Sequence, residues 1–154
     1  MRFESTLRAG LRRGGVAALA VLLLSATRSP HPTVELVAPA RVHAGDTVDI
    51  VLRVRNDGPA PMTLELSGRP VGFDVIVTNP DGKEVWRRLA GGAVGAALML
   101  LTLQPGESRD FTARWALVDQ GGNAVTPGRY FLRGILPMTG RQLATPERDL
   151  VIDP

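Results

Sequence analysis

The chain has 154 residues, 44% hydrophobic and 21% charged, which supplies apolar material for one folded core. It contains no cysteine, which excludes disulfides, iron–sulfur clusters, thiolate metal sites and cysteine nucleophiles. The formal net charge is +3, but four arginines and only one acid lie in residues 1–26, and the remainder carries fourteen charges of each sign. Nucleic-acid binding, which needs a concentrated positive face, therefore loses its main support.

The N-terminal residues differ from the rest. Arg8, Arg12 and Arg13 precede an apolar run, Val16 to Leu24, that ends in the small residues Ser25 and Ala26. This order of basic, apolar and small residues predicts a signal peptide over 1–26 and an exported protein, periplasmic or extracellular. The alternative is an uncleaved membrane anchor over residues 14–27, which is short for a spanning helix. Residues 27–33, with Pro30 and Pro32, read as a linker.

From residue 34 to 154 the hydrophobic period is two. Val48, Ile50, Leu52 and Val54 alternate with Asp49, Val51, Arg53 and Arg55. The same holds for Met62, Leu64 and Leu66, for Phe73, Val75 and Val77, and for Phe111, Ala113, Trp115 and Leu117. Each run predicts a strand with one apolar and one largely wet face. Turn sequences separate the runs, among them Asn56-Asp57-Gly58-Pro59, Asn79-Pro80-Asp81-Gly82 and Gln104-Pro105-Gly106-Glu107. The continuously apolar residues 93–103 read as a short buried strand, because Gly91, Gly92 and Gly95 would weaken a helix start. No helical periodicity lasts three turns after residue 30, so the prediction is an immunoglobulin-like antiparallel β-sandwich. The turn Thr126-Pro127-Gly128 just before Tyr130 adds the pattern of a tyrosine corner.

Catalytic constellations are sparse. His31 falls in the linker and His43 beside a Gly45-Asp46 turn, while Ser67 and Ser108 lack a nucleophile elbow. Residues 119–123 lack the alternating acids and distal glutamate of a calcium loop, and the glycines at 91, 92 and 95 lack a P-loop ending. These features point away from an enzyme, with no cofactor and no metal expected. The segment 78–86 carries a specific signal. Pro80 fits the first central position of a turn, Asp81 caps locally and Gly82 accepts a positive φ, while Lys83 is the sole lysine of the chain. Trp86 follows on the returning strand, packed on the core or partly exposed for contact.

Three stretches, 73–88, 101–115 and 121–136, resemble the intracellular proteinase inhibitor family BsuPI. The resemblance rests on an ordered series: Asp81-Gly82 before Val85-Trp86, then Pro105-Gly106-Glu107, Trp115, and Pro127-Gly128 before Tyr130. It implies an immunoglobulin-like β fold and a protein partner, a serine protease, gripped by a loop. Asn79, Pro80, Asp81, Gly82, Lys83 and Trp86 are the candidate contact residues, with residues 90–96 as a second, more flexible loop. The alternative is a structural or assembly domain of the cell envelope without inhibitory activity. A membrane contact is expected only through an uncleaved N-terminus, and no oligomeric state follows from the sequence.

Overall fold

Two β-sheets pack face to face in the computed structural model, which describes residues 32–68, 72–91 and 97–154. The expected signal segment and most of the linker lie outside the described residues. Along the described chain the strands are β1 (Thr33–Val37), β2 (Arg41–His43), β3 (Val48–Arg55), β4 (Met62–Gly68), β5 (Asp74–Thr78), β6 (Glu84–Arg87), β7 (Ala97–Leu103), β8 (Ser108–Trp115), β9 (Gly128–Met138), β10 (Arg141–Ala144) and β11 (Arg148–Asp153). The smaller sheet has the order β1-β3-β8. The larger runs β2-β11-β9-β4-β7, with β5 and β10 also paired to β9, and β6 paired to β5.

The period-two residues make the core, as an immunoglobulin-like sandwich requires. Val48, Ile50, Leu52 and Val54 are all fully buried, and they meet Val75, Val77, Leu132, Leu136, Leu150 and Ile152 from the opposite sheet. Full burial of each such side chain contributes roughly 1.5–3 kcal/mol. The pairing is antiparallel throughout except between β2 and β11, which run parallel. These two strands lie at opposite ends of the domain sequence, so the whole fold serves as their crossover.

Two strands change sheets without ending their partnership. β3 pairs with β8 in the small sheet, and beyond a bend their continuations β4 and β7 pair in the large one. Asn56 holds the bend. Its side-chain amide donates to the carbonyls of Ala60 at 2.8 Å and Leu103 at 3.0 Å, and its Oδ1 accepts from Gly58 N at 2.9 Å. Its backbone exchanges bonds with Glu107 and Gly106. Asn56 is completely buried, and these partners offset the cost of placing an amide there.

β9 is the spine of the larger sheet, bonded to β11 along its first half and to β10 along its second. At Gly134 the opposing sheet comes so close that a Cβ would lie 2.8 Å from Leu52 Cδ1 and 3.0 Å from Leu36 Cδ1. Only glycine fits that approach without a shift of the core.

One face departs from the expected alternation. Asp74 sits on the outer side of β5, read from sequence as wet, yet only 3% of it is exposed. Its Oδ2 accepts from Arg87 Nε at 2.6 Å, and its Oδ1 from Leu89 N at 3.1 Å and Val75 N at 2.9 Å. The chain leaving β6 folds over this carboxylate, and the ion pair raises the Arg87 guanidinium above its ordinary value, chiefly through the hydrogen bond to Asp74.

A loop end built from the 79–83 hairpin and the 119–128 turn

The hairpin between β5 and β6 forms where Pro80, Asp81 and Gly82 dictate it. Gly82 N donates to Asn79 O at 2.9 Å and Gly82 has φ 76°, so a β-turn closes into a left-handed glycine. Asn79 ties the loop from within: its Oδ1 accepts from Asp81 N at 3.1 Å and Lys83 N at 2.9 Å. A further bond, Asn79 N to Lys83 O at 3.0 Å, locks the neck. Pro80, Asp81, Gly82 and Lys83 are exposed, while their backbone is fixed.

The two strands then slip by one residue, since Thr78 faces Glu84 while Val77 faces Trp86. This bulge sets Trp86 opposite the fully buried Val77 and hence toward the core. Trp86 is half-buried, and its ring stacks on that of Trp115 with centroids 6.0 Å apart and planes 28° from parallel. Trp115 in turn meets Tyr130 edge-on at 6.0 Å and donates through Nε1 to Val118 O at 2.7 Å. Trp86 therefore packs against the core while part of it stays exposed.

Tyr130 closes the corner that its sequence context announces: its hydroxyl donates to Thr126 O at 2.7 Å. Between Trp115 and Tyr130 the chain makes a loop shaped by two residues. Leu117 takes a left-handed conformation, φ 55°, that leucine rarely adopts, while its side chain is buried in the core. Asp119 then gathers the loop, accepting from Gly121 N at 2.9 Å and Asn123 N at 2.8 Å. Those donors, Asn123 foremost, with the charge of Lys83 as a lesser cause, hold the Asp119 carboxyl below the usual carboxylate range.

The loop is clipped to the hairpin by Gln120. Its backbone N donates to Val85 O at 3.0 Å, and its Oε1 accepts from Arg87 N at 2.8 Å. Gln120 thus mimics a neighbouring strand and satisfies the outer edge of β6. Between hairpin and loop lies an open groove of about 630 Å³, lined by Pro80, Lys83, Val85, Val125, Pro127 and Tyr130 among others. The structure brings Asn79, Pro80 and Lys83 to this groove and turns Trp86 inward. Sequence reasoning missed Gln120, because its partners lie more than thirty residues away and no local pattern marks it.

Other expected features settle elsewhere. His43, Ser67 and Ser108 lie on three different strands, β2, β4 and β8, and among the described residues no hydrogen bond joins them. His43 N donates to Asp46 Oδ2, an ordinary turn contact. Of the second candidate loop, residues 92–96 lie outside the described residues. The apolar run that follows is a strand, β7, but it is not the buried strand expected. Leu101 and Leu103 face the core, whereas Leu98 and Leu100 are 63% and 64% exposed. β7 lies at the edge of the larger sheet and, among the described residues, pairs only with β4.

The family model described as BsuPI, intracellular proteinase inhibitor, matches residues 36–140, and the chain belongs to this family. That description overturns the expectation of an exported protein. A basic, apolar and small-residue series satisfies the composition of a signal, yet composition alone does not fix the compartment in which a chain works. Comparison with curated proteins finds no match. Among solved structures, the chain is similar to the sporulation control protein Spo0M from Bacillus subtilis, at 16% identity and TM-score 0.47, covering 80% of this chain and 49% of that one. It is also similar to the CARDB domain of a Pyrococcus furiosus protein in complex with di-metal ions, at 15% identity and TM-score 0.43, covering 80% of this chain and 94% of that one. A third similarity is to the alkylpurine DNA glycosylase AlkC from Pseudomonas fluorescens, at 13% identity and TM-score 0.45, covering 82% of this chain and 32% of that one.

Proposed function

We propose that this BsuPI-family chain is a non-catalytic protein-binding module, residues 34–154, that inhibits a serine protease through the loop end formed by residues 79–83 and 119–128. The observation that carries this reading is a tip that is exposed in its side chains and fixed in its backbone. Four hydrogen bonds of 2.9–3.1 Å hold residues 79–83. A loop so held has little conformational freedom left to lose on docking, and that loss is a main cost of association. The Trp86–Trp115–Tyr130 stack anchors its base, and the Gln120 clip braces its flank. Asp81 and Lys83 place one charge of each sign at the tip, and the groove beside them offers apolar surface to a partner side chain.

The test is inhibition. The full chain is titrated against subtilisin-like and trypsin-like serine proteases, with Asn79→Ala/Asp81→Ala alongside. Stoichiometric inhibition of at least one protease, weakened about tenfold or more in the double variant, is the expected result. Hydrolysis of the chain without inhibition of any protease, or full inhibition by the double variant, contradicts the reading.

A further inference from the structure

The edges of the two sheets are not treated alike. β1 carries Glu35, β8 carries Arg109, Asp110 and Arg114, β2 carries Arg41, and β10 carries Arg141. β6 carries Glu84 and is covered by Gln120. Charges and covers of this kind keep strand edges from pairing with other chains. β7 has neither. Its seven residues, Ala97–Leu103, contain no charge and no proline, and Leu98 and Leu100 project into solvent. The neighbouring strand sets Ser67, Glu65 and Thr63 beside Leu98, Leu100 and Thr102, so the apolar stripe belongs to β7 alone.

We infer that β7 pairs with β7 of a second copy of the chain, antiparallel across a two-fold axis near Met99. The occupant follows from self-complementarity. An axis at Met99 sets Leu98 opposite Leu100 of the second copy, and Leu100 opposite Leu98 of the second copy. Both exposed leucines of both copies are then covered by leucine. The strand brings no charge to the seam, so self-pairing opposes no like charges. A two-fold contact of this kind uses the free edge of each copy and therefore stops at two, joining the larger sheets into one continuous sheet. The leucine stripe covered by such a pairing is otherwise the surface most prone to unspecific association.

Sedimentation of the full chain over a concentration series tests this, together with Leu98→Lys/Leu100→Lys, which puts charges at two exposed positions and leaves the core untouched. The wild type is expected to dimerise reversibly, and the double variant to dissociate at concentrations about tenfold higher or more while keeping its circular dichroism spectrum. The chain has no cysteine, so single cysteines report the register cleanly. Met99→Cys is expected to form a disulfide-linked dimer on oxidation, and Thr112→Cys on the exposed part of β8 is not. A wild type that stays monomeric, a dimer that survives both lysines, equal cross-linking at Thr112, or a different polypeptide held on β7 would each overturn the inference. Protease inhibition is read separately and does not enter these outcomes.

Discussion

The edges of β6 and β7 are built for opposite ends. Both close off part of the same large sheet. At β6 each outward backbone group named above has a partner: Val85 O and Arg87 N are taken by Gln120, and the hairpin before them is tied through Asn79. At β7 the backbone is open on one side among the described residues, and two leucines stand in solvent. The difference teaches where rigidity is placed. The proposed docking loop sits on the edge where Val85 O and Arg87 N are satisfied, while the edge proposed to dimerise keeps hydrogen-bonding capacity for another strand.

The largest effect on this contrast is expected from the bend that presents β7. Asn56→Ala strands the buried carbonyl of Leu103, removes the part-buried bonds to Ala60 O and Gly58 N, and should cost about 3 kcal/mol in urea denaturation. A loss under about 1 kcal/mol would mean that the bend is held by its backbone bonds alone. On the other side, Tyr130→Phe removes the tie to Thr126 O and should cost about 1 kcal/mol, with the ring still packed on Trp115. Gln120→Ala should cost about as much, roughly 1 kcal/mol, and should also speed hydrogen exchange at Arg87 N. Unchanged exchange there would show that β6 does not depend on its cover.

The smallest effect is one of pH. The Asp119 carboxyl is held below its ordinary range in the folded loop, so its stabilising bonds are fully present above the unfolded carboxylate pKa and are lost as pH falls through the lower folded value. The amide resonances of Gly121 and Asn123 should therefore stay constant at neutral pH and move only in acid, below the usual aspartate titration. Movement at or above that usual value would contradict the assignment, and Asp119→Asn should abolish the acid transition.

Much of this was legible in the sequence where the causes are local. The turn at 79–82 follows from proline, aspartate and glycine in consecutive positions, and the Tyr130 corner from a turn just upstream. The alternating runs placed the core residues of β3, β5 and β8, since a period of two fixes which face each side chain takes. Asp74 was not legible, because its burial depends on a chain segment thirteen residues on that folds back over it. The exposure of Leu98 and Leu100 was hidden for a similar reason. An uninterrupted apolar run reads as buried, and only the absence of a further strand beside it among the described residues says otherwise. The bulge at Val77 and Thr78 also escaped, and it decides which way Trp86 points.

One measurement separates the two regions most directly: inhibition of a susceptible serine protease by the wild type, by Asp81→Ala/Lys83→Ala at the hairpin tip, and by Leu98→Lys/Leu100→Lys at the β7 edge. All four positions are exposed, so each variant keeps its core. The account predicts that the tip variant loses inhibition by about tenfold or more and the edge variant retains it. Retained inhibition by the tip variant, with loss in the edge variant, would contradict it and move the inhibitory surface to β7.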